Sequence, residues 1–204
     1  GRRVRAGVEP DVGDRAPSGD GGIEPLTADG VDDGVDRVVV RGQAAAQAPD
    51  RARVALIGPF VEAAARVIQQ ECGEPVSRGQ LHRVRSPQTN NEVSALIAIT
   101  GGVAGLVIYS MTEEAALGFA SKMIGEPLAE LDALGQSAIA ELANMITGQA
   151  GIALERSGFP SDMSPPVLLL GKGSSIATLN LTRLLVPLVV SFGEFTIDIA
   201  VKEV

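Results

Sequence analysis

The sequence predicts an α+β fold in which long helices pack on one face of a largely antiparallel sheet. Helical spacing of apolar residues dominates the region from residue 53 to residue 157, whereas strand-length runs of Val, Ile and Leu gather after residue 166. Between the helices, an uncharged run over residues 93–112 is broken at its middle by Thr100-Gly101-Gly102, which reads as two buried strands joined by a tight turn. Early helices and late strands argue for segregated layers rather than alternating βαβ units.

The chain of 204 residues suits one filled core plus an appendage. Residues 1–52 form that appendage, an acidic tail rich in Gly, Pro and Ala. Up to residue 50 there is no aromatic side chain, and Pro17-Ser18-Gly19-Asp20-Gly21-Gly22 is typical of the stretch. Such a segment cannot bury enough apolar surface to offset its ordering entropy, so disorder is expected. Ten acids and six bases give residues 1–50 a net charge of -4; fifteen acids and eleven bases give the remaining residues the other -4 of the total -8.

Order is expected from about Arg53, so that one domain spans 53–204. Pro59 fits a first helical turn, and Phe60, Ala63, Ala64, Val67 and Ile68 recur at helical spacing up to Cys72-Gly73. Residues 74–84 have weak strand character and lead into the polar loop Ser86-Pro87-Gln88-Thr89-Asn90-Asn91. After the hairpin, Ser110 or Thr112 can cap a helix whose first turn holds Glu113 and Glu114, where the helix dipole favours acids. That helix should end near Ile124, before Gly125-Glu126-Pro127. A longer one should run from Ala129 or Asp132 to Ser157 and stop at Gly158. Strands are expected over 167–170, 175–180, 184–190 and 195–201; Pro187 lacks a donor, so the third should be an edge or carry a bulge.

Several functions are excluded or disfavoured by composition. Arg78, Arg83 and Arg85 are too few to track a phosphate backbone, so nucleic acid is not an expected partner. The broken run 93–112 reads as strands rather than a membrane span. The lone Cys72 cannot form an internal disulfide. His82, the single histidine, has no companion at ligand spacing, and no metal site is expected. Gly171-Lys172-Gly173-Ser174-Ser175 lacks the spacing of a phosphate loop and reads as a hairpin turn. Asn180-Leu181-Thr182 would matter as a glycosylation sequon only in a secreted chain; the first residues show no apolar signal-peptide run, and a cytoplasmic location is expected.

One polar stripe looks like a site. On the long helix Ala138, Ile139, Leu142, Met145, Ile146 and Ala153 define an expected core face, opposite Ser137, Glu141, Asn144, Gly148 and Gly151. Ser137, Glu141 and Asn144 stack at i, i+4 and i+3 spacing. Glycine costs a helix interior about 1 kcal/mol relative to Ala, so two glycines on the stripe suggest close approach by another macromolecule. An acid and an amide three residues apart are not a specific motif, and a solvated helix face fits the same residues.

The pattern Ser137, three residues, Glu141, two residues, Asn144, with Pro165-Pro166 some twenty residues on, resembles the active helix of the CheX branch of the CheC/CheX/FliY chemotaxis phosphatases. Gly58-Pro59-Phe60-Val61-Glu62-Ala63 is similar to that family's first helix. Thr100 to Ile108 is similar to its hairpin, and Ser191-Phe192-Gly193-Glu194-Phe195-Thr196-Ile197 to its last turn and strand. The resemblance covers about residues 53–204. It implies a CheC/CheX-like fold and a phosphatase that accelerates hydrolysis of the aspartyl phosphate on a CheY-like receiver. By the same resemblance Asn144 orients the attacking water, Glu141 docks the receiver's lysine, and Ser137, Gly148, Pro165 and Pro166 shape the partner-binding surface. The protein would need no cofactor of its own, with magnesium on the receiver, and would act as a homodimer joined through its sheet. In the first helix Glu62 is followed by Ala65 where a second amide would be needed, so one site per chain is expected. The alternative is a non-catalytic module of the same fold that binds a receiver or a flagellar switch component.

Overall fold

The computed structural model describes residues 51–84, 91–171, 181 and 183–204, all within the unit Ala46–Val204. Residues 1–50 of the expected tail, residues 86–90 of the polar loop and the expected strand over 175–180 lie outside the described residues.

Three helices, α1 (Arg51–Cys72), α2 (Glu113–Ile124) and α3 (Ala133–Arg156), cover one face of an antiparallel sheet. Its strands are β1 (Ser77–Arg78), β2 (His82–Val84), β3 (Val93–Gly101), β4 (Val103–Met111), β5 (Ser161–Met163), β6 (Val167–Leu170), β7 (Arg183–Val190) and β8 (Gly193–Glu203). The order is β1-β7-β8-β4-β3-β5, with β2 also beside β7 and β6 also beside β3, so each edge of the sheet is made of two short strands. Every pairing is antiparallel. The 93–112 run is the β3–β4 hairpin, turning at Gly101-Gly102. No described helix is long and apolar enough to cross a membrane.

Side-chain alternation sorts the sheet into two faces. Val93, Ala95, Ile97 and Ile99 of β3, Val107, Tyr109 and Met111 of β4, and Phe195, Ile197 and Ile199 of β8 join the helices in the core. The aromatic residues there form a chain, with Tyr109 stacked on Phe195 at 5.6 Å and Phe119 of α2 meeting Phe195 edge-on at 5.4 Å. On the opposite face Arg183 and Asp198 form a buried ion pair.

Two local expectations are corrected. Pro59 is inside α1, whose helix begins at Arg51, two residues ahead of the expected start. Strand β7 is not an edge, because β1 and β2 flank it. The missing N–H of Pro187 is accommodated by a break in its neighbour instead. β1 ends opposite Leu188, β2 begins opposite Leu185, and between them Gly79 donates to the Pro187 carbonyl at 2.8 Å. A residue's N–H and C=O point to the same side of a strand, so the proline's bare nitrogen faces this gap rather than β8. Strand β5 was not expected at all.

The C-terminal end of α1 is tied to α2 and to the β7–β8 turn through Glu74. Its carboxylate accepts from Ser191 Oγ at 2.6 Å and pairs with Lys122 at 3.0 Å. The Ser191 hydroxyl first, then the Lys122 ammonium, hold this carboxyl below its usual 4.5. A depressed folded-state value means that Glu74 stabilises the fold above the ordinary carboxylate range and ceases to do so as pH falls through the lowered value. The melting temperature of the intact protein should therefore exceed that of Glu74→Gln at neutral pH, and the gap should narrow as the pH falls below the ordinary carboxylate range. An unchanged gap across that range would contradict the role given to the ionised carboxylate.

Nearby, burial first and the charges of Glu71 and Glu74 next push the Cys72 thiol up to about 11, so it remains a protonated, buried packing group at neutral pH.

Candidate active site

Helix α3 is fixed at both ends and from beneath. Asp132 caps its start by accepting from the Gly135 N–H at 2.9 Å, while Gln136 Nε2 reaches back to the Leu131 carbonyl at 2.9 Å. At its far end Gly158 takes a left-handed φ of 91°, and Phe159 N–H returns to the Leu154 carbonyl at 2.9 Å. Beneath it, Tyr109 on β4 meets Thr147 Oγ1 at 2.8 Å, and Thr147 donates to the Ala143 carbonyl at 2.7 Å. Since the only hydroxyl proton of Thr147 is used on Ala143, Tyr109 is the donor to Thr147. Burial drives the Tyr109 phenol well above its ordinary value, against the smaller opposing effect of Thr147, so this donor stays protonated.

With the helix so rotated, the inward residues are Gly135, Ile139, Leu142, Ala143, Ile146, Thr147, Ala150 and Leu154. Ile139, Leu142 and Ile146 are as expected; Ala138, Met145 and Ala153 are only half-buried. The exposed stripe contains Ser137, Glu141, Asn144 and Gly148. Ser137 Oγ is occupied, donating to the Ala133 carbonyl at 2.8 Å. Among the described residues Glu141 and Asn144 have no hydrogen-bond or ion-pair partner within the chain. A Cβ on Gly148 would meet nothing within 4 Å, so the helix is bare backbone there, whereas one on Gly151 would meet Met163 Cε at 2.7 Å. Gly151 thus packs on β5 and leaves the stripe.

That contact also orients the stripe. Residues seven apart on a helix point within about 20° of each other, so Asn144 faces the β5–β6 edge as Gly151 does. Pro166 is half-buried and Pro165 exposed on the segment that links β5 to β6. In α1, Glu62 is exposed and Ala65 offers no polar group, so the first helix carries no second acid–amide pair. Among the described residues no cluster of three metal-ligating side chains occurs.

Comparison with known proteins places these features in a wider group. A family profile described as "Chemotaxis phosphatase CheX" matches residues 93–189, which include β3 through β6, the whole of α3 and all of β7 but its last residue. The chain is 34% identical over 149 residues to the CheY-P phosphatase CheX of Thermotoga maritima, covering 72% of this chain and 94% of that protein. It is also similar to the crystal structure of a chemotaxis protein CheX from Desulfovibrio desulfuricans, with TM-score 0.67 and 26% identity over 72% of this chain and 99% of the other. A third similar chain comes from the CheX-CheY-BeF3-Mg2+ complex of Borrelia burgdorferi, with TM-score 0.63, 26% identity and coverage of 72% and 98%.

Proposed function

Because this chain belongs to the CheX family of chemotaxis phosphatases, we propose that it hydrolyses the aspartyl phosphate of a CheY-like receiver through Asn144, with Glu141 docking the receiver. The observation that carries this reading is the pairing of an exposed amide and an exposed carboxylate, neither engaged within the chain, on a helix whose rotation is fixed by the Tyr109–Thr147 bond.

The chemistry asks little covalent work of the helper. In phosphoryl transfer most of the effect comes from positioning and charge stabilisation, and the receiver's own magnesium and lysine supply the positive charge around the phosphoryl oxygens. Asn144 enters that site from the stripe. Its amide offers both a donor and an acceptor, so it can hold a water in line with phosphorus opposite the departing aspartate oxygen. Neutrality matters, since a carboxylate there would repel the phosphoryl group. Glu141, one helical turn away, forms a charge-assisted bond to the receiver's lysine and sets the register. Gly148 and Pro166 keep the approach open and shaped, and Ser137 and Pro165 border it. As a second copy of the chain could cover the sheet face bearing Leu96 and Leu106, the working form in this reading is a homodimer joined through the sheet.

The test is the decay of each phosphorylated receiver of the source organism with and without the intact protein. Accelerated decay of at least one receiver is expected, with a rate proportional to protein concentration. No acceleration of any receiver would replace this reading with that of a non-catalytic receiver-binding or switch-binding module.

A further inference from the structure

Exposed apolar side chains are not scattered evenly over this domain. Seven large ones are exposed among the described residues; Leu134 (58%) and Ile152 (53%) lie on α3 in line with Glu141, and Leu170 (50%) ends β6. Leu134 is seven residues before Glu141 and Ile152 eight after Asn144, so the polar pair sits midway between two apolar side chains about 27 Å apart on the same side of the helix. Leu170 pairs with Val93 and so points to the helix side of the sheet. It closes a recess of about 410 Å³ lined also by Glu92, Val93, Glu113, Leu131 and Gly171, at the end where α3 begins.

We infer that Leu134 and Ile152, flanking the Glu141–Asn144 pair, are the apolar anchors of the receiver-docking surface, with Leu170 extending its apolar area beyond the start of α3. The inference rests on the function proposed above and adds the residues that supply affinity. A standard interface buries about 800 Å² per partner, a patch about 30 Å across, which the Leu134–Ile152 span matches. Apolar anchors around a central polar contact also exclude water from it, strengthening the bond that Glu141 makes. A second copy of this chain is a poor occupant of the same surface. A two-fold contact centred on the stripe would set Glu141 against its own copy, like charge on like, whereas a partner presenting a cation there is complementary.

The experiment measures binding separately from hydrolysis. Each receiver of the source organism, loaded with beryllium fluoride and magnesium as a stable stand-in for its phosphorylated form, is titrated by calorimetry with intact protein, Leu134→Gln, Ile152→Gln and Leu81→Gln. Glutamine keeps good helix propensity, and both α3 positions are exposed, so these variants should fold; circular dichroism checks it. Leu81, exposed between β1 and β2, controls for general loss of apolar surface. Leu134→Gln and Ile152→Gln should each weaken binding about tenfold, while Leu81→Gln should stay within a few-fold of intact protein. Anchors that bind as tightly as intact protein overturn the inference, and so does a change in self-association measured by sedimentation in place of a change in receiver affinity. Accelerated receiver decay with unchanged anchor affinities would leave the proposed function standing without these anchors. Weakened binding with no acceleration by intact protein would keep the anchors and remove the phosphatase. If no loaded receiver binds, both fall.

Discussion

Replacing Asn144 by alanine is expected to reduce the acceleration of receiver dephosphorylation by about 100-fold or more, because one positioned hydrogen-bonding group in a water-excluded site contributes on that scale. The side chain is exposed and makes no bond within the chain, so its removal costs the fold nothing and the loss is chemical. The stable fold has to be seen alongside the lost rate: an unchanged melting curve and receiver affinity, with the maximal rate collapsed, locates the effect in the hydrolytic step. Asn144→Asp should be as poor, since it returns a negative charge to the place where the phosphoryl oxygens gather. Glu141→Gln should behave differently, raising the receiver concentration needed for half-maximal rate more than it lowers the maximum, because a neutral amide still reaches the lysine but without the charge. Retention of full activity by Asn144→Ala would remove the amide from the mechanism, whatever the fold resembles.

The stripe was legible in the sequence because exposed helical residues announce themselves by polarity, and Glu141 and Asn144 fall where spacing puts them. The inward face was harder. Ala143, Thr147 and Ala150 are buried yet small or polar, so apolar spacing passes over them; Thr147 is inward because Tyr109, thirty-eight residues away, supplies its bond. Gly151 looked like part of the open stripe, and only the position of Met163 shows that a strand fills the space beside it. The strand itself, Ser161–Met163, is held by pairing with Ile99, Thr100 and Gly101 and carries little intrinsic strand signal. Pro187 illustrates the same limit. Its lack of a donor was readable, but the break that accommodates it belongs to the neighbouring edge, between Arg78 and His82.

Glycines separate these two kinds of information most sharply, and Gly105 should give the largest stability effect of any alanine substitution in the hairpin. It sits inside β4, opposite Val201 of β8, at a φ of 153°, which L side chains rarely adopt. A Cβ there would overlap the Ala200 carbonyl oxygen and approach Val201 Cα to 2.8 Å. Both are backbone atoms of the longest strand in the sheet, so no side chain can swing aside; either the β4–β8 pairing opens or the strand bends. Strain and clash together should cost about 4 kcal/mol or more, lowering the melting temperature by about 10 °C or leaving a domain of ordinary stability unfolded. Gly148→Ala makes the opposing case on the active helix. Nothing lies within 4 Å of its added methyl, so helix propensity alone should raise stability by about 1 kcal/mol while the receiver meets a methyl group where it met bare backbone. A melting temperature that rises as receiver affinity falls would mean that this glycine is kept for the partner, and Gly105 for the sheet. A Gly105→Ala protein that melts with the intact one would show that β4 and β8 can separate there at no cost, against the close backbone approach at the Gly105–Val201 pair.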